Sequence, residues 1–277
     1  MREAAANGQL ALLLEVAGTP KPGNVDRRRE YPDLRFEHFL AGAVGARPGL
    51  ERAAGDGPLG EAFERAIGGM SAQSGGNTQF GALLLLAPLV RAAATDRLDP
   101  EGATSVVAET TVAGACAFYR AFDHVDVAVG EPPADLADLD VRLGSDALEA
   151  VRDRGVTLAE VMALSADVDG VAAEWTTGFP RSFEAAERLL SDDGPVSRRV
   201  SRCFLRVLAE EPDTFVVTRN GREVAEEVVR RARAVLDGDA DAVALADDLV
   251  DRGVNPGTSA DITAAAVFVA LERGLEV

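Results

Sequence analysis

The sequence predicts an all-α fold, a single large multi-helix domain over residues 1–277. Three observations carry that reading. Segments rich in Ala, Leu, Glu and Arg, with apolar residues at helical spacing, dominate the chain. Strict apolar–polar alternation over six or more residues is scarce, so little of the sequence reads as strand. Several segments open on residue pairs with helix-cap spacing.

In chain order the pattern places helices at 3–17, 35–54, 58–70, 78–95, 101–121, 145–153, 158–175, 181–191, 195–210, 221–236, 239–251 and 260–273. The first is apolar but interrupted by Glu15. The second carries His38 directly after Glu37, and the fourth contains the longest apolar run, 82–90, with Pro88 inside it. Cys116 and Cys203 sit far apart in the apolar patterns of two later helices, at no metal or redox spacing, and read as small buried core residues. Thr157 and Glu160 have the spacing of a capping box, in which each side chain accepts the other's backbone N–H. Asn220 with Glu223, and Thr258 with Asp261, repeat that spacing. Gly274 follows the last helix as a stop.

A hydrophobic share of 47% excludes wholesale disorder. The chain carries 28 Lys+Arg against 46 Asp+Glu, a net charge of −18. Such a charge argues against a nucleic-acid partner, which needs a basic face, and against docking on an anionic membrane. The 82–90 run is too short to span a bilayer and the N-terminal residues do not read as a signal peptide, so a soluble, cytoplasmic protein is expected. All but one of the cations are arginine, the exception being Lys21. Two explanations of the acidity stay open: adaptation to a salt-rich cytoplasm (the favoured one, a halophilic protein), or an ordinary acidic protein from a GC-rich genome.

Three segments break the helical rhythm, 18–33, 68–81 and 253–259, and a Pro- and Asp-rich connection at 130–140 is the candidate hinge. In the first, Thr19-Pro20-Lys21-Pro22-Gly23-Asn24-Val25-Asp26-Arg27, prolines hold the lysine's backbone extended and Gly23 permits a sharp turn. Lys21 and Arg27 suit a polyphosphate, and Asp26 suits Mg²⁺. The same residues fit a rigid inter-helix loop with solvated charges. The second segment, glycine-rich and running through Gly76-Asn77-Thr78-Gln79-Phe80-Gly81 into an apolar helix, offers N–H groups to an anion or a plain linker with an Asn77 or Thr78 cap. It is neither a Walker A loop nor a dinucleotide fingerprint. Turn and cap chemistry explains much of the third, Asn255-Pro256-Gly257-Thr258-Ser259-Ala260-Asp261. Asp169 and Glu174 are five apart, suited either to one cleft or to solvent.

The Thr19–Arg27 stretch closely resembles the signature of the triphosphoribosyl-dephospho-CoA synthase family. The resemblance continues in order along nearly the whole chain. Asp33, followed by Phe39, is similar to a His-x-Asp-Met segment, here about two residues shorter and lacking that His and Met. The Gly76–Gly81 segment resembles Gly-x-Asn-Thr-His-Lys-Gly. Stretches from Thr157 through Asp169 to Phe179, and from Pro212 to Gly221, match further family segments. Asn255–Asp261 resembles Ser-Pro-Gly-Gly-Ser-Ala-Asp.

The resemblance implies an all-α enzyme that transfers the triphosphoribosyl group of ATP to 3′-dephospho-CoA, or a related cofactor precursor, with release of adenine. It implies an ATP-dependent pentosyl transferase that works with Mg²⁺. Lys21 and Arg27 would lie on phosphate, and Gly76, Asn77, Thr78 and Ser259 on the nucleotide. Asp26, Asp33 and Asp261 would be metal ligands or catalytic bases. The expected partners are ATP and a small-molecule acceptor; a homodimer is the oligomer to test. Gln79 and Phe80 stand where the family shows His and Lys, so the alternative is a nucleotide-binding protein of the same fold that has lost catalysis.

Overall fold

The computed structural model describes residues 3–277. Their secondary structure is helical, with isolated bridges at Asp26–Arg29 and Tyr31–Leu34 in the first inter-helix segment. The first helices are α1 (Ala4–Ala17), α2 (Phe36–Ala54), α3 (Leu59–Met70) and α4 (Phe80–Ala94). They are followed by α5 (Pro100–Ala108), α6 (Val112–Ala121), α7 (Leu148–Arg154), α8 (Leu158–Ser165) and α9 (Gly170–Thr177). The chain finishes with α10 (Pro180–Ser191), α11 (Val196–Glu210), α12 (Thr214–Asn220), α13 (Arg222–Leu236), α14 (Ala242–Asp251) and α15 (Gly257–Glu272).

Two central helices set the architecture. In α4 the 82–90 run is buried on every side, and in α15 residues 262–271 are buried throughout. A helix apolar all round must sit inside the protein. They pack on each other, with α1, α2 and α3 against one side and α9, α10 and α11 around the rest. A second apolar cluster joins α11, α12, α13 and α14 through Phe204, Leu208, Val216, Val228 and Leu249. Among the described residues, no helix is long and apolar enough to cross a membrane. Both cysteines are free and buried.

The expected helix at 101–121 is two helices. Thr111 caps α6 by accepting the N–H of Gly114, an alternative to continuing the first helix. The 158–175 helix also divides, because the side chain of Asp169 accepts the Ala172 N–H and starts α9 afresh. The capping box of Thr157 and Glu160 forms as its spacing predicts. The other two boxes do not. Asn220 ends α12, and Gly221, at φ +91°, stands at the start of α13. Thr258 lies inside the first turn of α15, bonded to Thr214, and Asp261 turns to α4. Sequence reading missed α12, whose cap is Asp213, and two short 3₁₀ stretches at Ala134–Leu139 and Val141–Ala147.

Candidate active site

The N-termini of α4, α9 and α15 open on one cavity of about 500 Å³. Its polar end is lined by Glu15, Asn24, Asn77, Asp169, Asn255 and Asp261. Its other end is apolar, with Phe118 and Phe122 of α6, Met162 of α8 and the 127–133 connection. Among the described residues, no lysine, arginine or histidine lines it. Helix N-termini present free N–H groups and a partial positive charge, so the polar end is suited to anions despite its carboxylates.

The first and last broken segments meet at this floor. Gly23 has φ +74°, and a Cβ there would lie 2.2 Å from the Val254 carbonyl oxygen, so only glycine permits the approach. Beside it, Asn24 Nδ2 donates to Asn255 Oδ1 at 2.9 Å. The glycine-rich loop meets the same segment from the other side. A Cβ on Gly81 would lie 2.1 Å from Asp261 Oδ2, so glycine lets the carboxylate reach the start of α4.

Four carboxylates gather at this end: Glu15, Asp169, Asp213 and Asp261. Burial pushes Asp261 well above the usual aspartate range, and the charges of Glu15, Asp213 and Asp169 push it further. The Ala82 N–H opposes that rise. Burial also raises Asp213, which accepts the N–H and the hydroxyl of Ser259, both at 2.7 Å. Asp169 is raised by burial and moderated by N–H groups of α9. Glu15 differs from the others because a lysine faces it. Burial raises it, and Lys21 pulls it back.

The predicted residues divide into three groups. Asn77, Thr78 and Asp261 line the cavity. Lys21 and Ser259 stand one layer behind the wall. Lys21 is fully buried and donates to Glu15 and to Asn24 Oδ1, while Ser259 is spent on Asp213. Arg27, Asp33 and Gly76 are exposed and outside the wall. Asp26 is buried, and its oxygens accept the N–H groups of Lys21, Arg28 and Arg29 and the guanidinium of Arg29. It shapes its loop. The expected trio Asp26, Asp33 and Asp261 is therefore not brought together, and no three His, Cys, Asp or Glu among the described residues are placed to hold a metal by themselves.

Sequence reasoning gave no site role to Glu15, Asn255, Thr214 and Asp213, although Asn24 and Asn255 stand in broken segments that it singled out. The interruption of an apolar run by Glu15 was the available signal for the first. Of the paired carboxylates, Asp169 reaches the cavity, while Glu174 accepts the N–H groups of Arg181 and Ser182 at the start of α10. Phe80 packs in an aromatic cluster with Phe63 at 5.1 Å and Phe122 at 4.9 Å, so that position serves the apolar wall. Gln79 is buried, with no partner for either amide atom, and touches the cavity.

The family model for ATP:dephospho-CoA triphosphoribosyl transferase matches residues 1–276. The chain belongs to that family. It is also similar to a Lactiplantibacillus plantarum protein assigned as a 2-(5''-triphosphoribosyl)-3'-dephosphocoenzyme-A synthase. That likeness is 25% identical over 291 residues, covering 96% of this chain and 95% of the relative. A crystal structure of an Archaeoglobus fulgidus protein assigned as a triphosphoribosyl-dephospho-CoA synthase superimposes with a TM-score of 0.68 and 28% identity. It covers 86% of this chain and 100% of that one. Family membership makes the chain a transferase and lends no support to the alternative in which catalysis has been lost.

Proposed function

We propose that the protein transfers the triphosphoribosyl group of ATP to a hydroxyl of 3′-dephospho-CoA and releases adenine, with the cavity at the ends of α4 and α15 as the active site. The observation that carries this reading is the meeting of the family-like segments around Asn24, Asn77, Asn255 and Asp261 on one cavity. The reaction breaks the bond between the ribose C1′ and the purine and forms one from C1′ to the acceptor oxygen. The acceptor proton passes to a base, and adenine leaves as the neutral purine after gaining a proton.

Charge builds up on the sugar as the purine departs, and a carboxylate nearby stabilises it. Glu15, Asp169 and Asp261 are the carboxylates that line the polar end. The N-terminal N–H groups of α4 and α15, with Asn77 and Thr78, face the phosphates and the nucleotide in this reading. Mg²⁺ fits the site as the companion of the triphosphate. The wall offers hard carboxylate oxygens and no basic side chain, and Mg²⁺ is commonly held by one or two carboxylates plus phosphate oxygens. Asp261 and Asp169 would be its protein ligands, and the ion would neutralise phosphate charge. Lys21 acts through Glu15, and the reading no longer places it on phosphate.

The test is to incubate the protein with ATP, Mg²⁺ and 3′-dephospho-CoA and to weigh the acceptor by mass spectrometry. A product heavier by one triphosphoribosyl group supports the proposal. Unchanged acceptor, with the protein folded, refutes it.

A further inference from the structure

The apolar end of the cavity is walled on one side by a length of chain with unusual backbone accounting. Residues 125–132 form no backbone–backbone hydrogen bond among the described residues. Within that stretch Val127, Ala128 and Val129 are half-buried and line the cavity, and the backbone from 126 to 133 has no regular structure. Backbone N–H and C=O groups shielded from water are ordinarily paired, because leaving one unpaired costs free energy comparable to a lost hydrogen bond. Here an edge of backbone polar groups runs beside a cavity and meets no partner strand.

The apolar side chains lining the same cavity indicate what kind of molecule would lie there. Met162 and Val161 of α8, with Phe118 and Phe122 of α6, are apolar. Leu164 and Val168 continue the wall to the rim, where they are 47% and 73% exposed. Exposed large apolar side chains at the mouth of an apolar cavity mark a surface that something covers. An occupant must therefore satisfy two demands. It must carry aliphatic surface, and it must offer amide donors and acceptors to backbone groups that have no backbone partner, as a peptide does when it adds to a sheet edge. Neither a triphosphate nor a purine meets both.

We infer that the 127–130 backbone, with Met162 and Leu164 of the same cavity lining, is the binding subsite for the pantetheine arm of the acceptor, an extended chain of two amides joined by short methylene links. This inference rests on the acceptor reading above and adds to it where the acceptor's non-reacting half lies. The arm's amides pair with N–H and C=O groups of residues 127–130, and its methylene groups lie on Met162 and Leu164. The reacting nucleoside end then reaches the polar floor at Asp261, which belongs to the same continuous cavity.

The experiment compares two ligands by titration calorimetry: 3′-dephospho-CoA, and ADP, which keeps the nucleotide and lacks the arm. Wild type is compared with Val129→Asp, which places a carboxylate in the irregular wall, and with Leu164→Ser at the exposed rim. Neither position lies in a regular core element's interior. Wild type should bind 3′-dephospho-CoA at least about tenfold more tightly than ADP. Val129→Asp should reduce that ratio to near one, Leu164→Ser should reduce it partly, and both should keep the wild-type KM for ATP and the wild-type melting temperature. Equal binding of the two ligands by wild type, or a ratio unchanged in Val129→Asp, would overturn the arm subsite and leave the transfer reaction standing. Binding of neither ligand by folded wild type would overturn the acceptor reading, and this inference with it.

Discussion

The ammonium of Lys21, the chain's single lysine, is bound to the carboxylate of Glu15 beneath the floor of the cavity. Glu15 lines the cavity, whereas Lys21 is fully buried behind it, also held by Asn24 and lying over the Phe204 ring at 5.8 Å. Lysine's compact ammonium fits such an enclosed place, and arginine's wider fork does not. The preference for arginine elsewhere therefore yields here to packing.

Removing one member of a buried ion pair leaves the other charge without compensation. Lys21→Met should cost about 3–5 kcal/mol of stability. The double variant Glu15→Gln/Lys21→Met should recover a substantial part of that loss. Urea denaturation of the two single variants and the double variant measures it, and strict additivity of the two single losses would show that the pair is not coupled.

Gly81 is required by Asp261. Gly81→Ala should lower stability by about 1–3 kcal/mol, because the new methyl meets the Asp261 carboxylate. In an Asp261→Ala background the obstacle is gone, and the same substitution should cost almost nothing. Thermal melts of the four proteins check this, and an equal cost in both backgrounds would rule out the contact as its cause.

Asp261→Asn keeps the shape of the side chain and loses its charge and basicity. In the proposed reaction this should lower kcat by about 10²–10⁴-fold with little change in the far-ultraviolet dichroism spectrum. Steady-state adenine release reads the first and circular dichroism the second. Wild-type turnover in Asp261→Asn would remove this carboxylate from the chemistry.

The same residue makes stability depend on pH in an inverted sense. Asp261, Asp213 and Asp169 hold protons to higher pH when folded than aspartates ordinarily do. The folded state then binds more protons than the unfolded chain, so stability falls as pH rises. The contribution is whole below the ordinary aspartate pKa and is lost as pH climbs through the raised folded values. Asp261→Asn should therefore gain on wild type progressively as pH rises above the ordinary aspartate range. Urea midpoints measured over that rise in pH test it, and a difference between the two proteins that does not change with pH would contradict it.

Salt should stabilise the fold. The net charge of −18 makes the compact state repel itself, and exposed pairs such as Arg154 with Asp138 offset little of that. The melting temperature should rise markedly from low salt to molar potassium chloride. A flat response would favour the plain acidic protein over the salt-adapted one.

The helical class was legible because period-3.6 patterning extends over nearly every segment. Breaks such as Asp169 and Thr111 were not, since a cap and a mid-helix residue look alike until the backbone chooses. Asp261 and Asn77 were found because they sit in broken segments with recognisable motifs. Lys21 was found as a residue and misplaced in role. Sequence spacing cannot show that its side chain turns back to Glu15, six positions earlier. The apolar arm was invisible because Phe118, Val129 and Met162 come from three separate stretches and meet only in the folded chain.

The most direct measurement is the stoichiometry of adenine released when purified protein, ATP and Mg²⁺ are given 3′-dephospho-CoA. The account predicts one adenine for each acceptor consumed, none when the acceptor is withheld, and a large loss of rate in Asp261→Asn. Folded wild-type protein that binds both substrates and releases no adenine would contradict it.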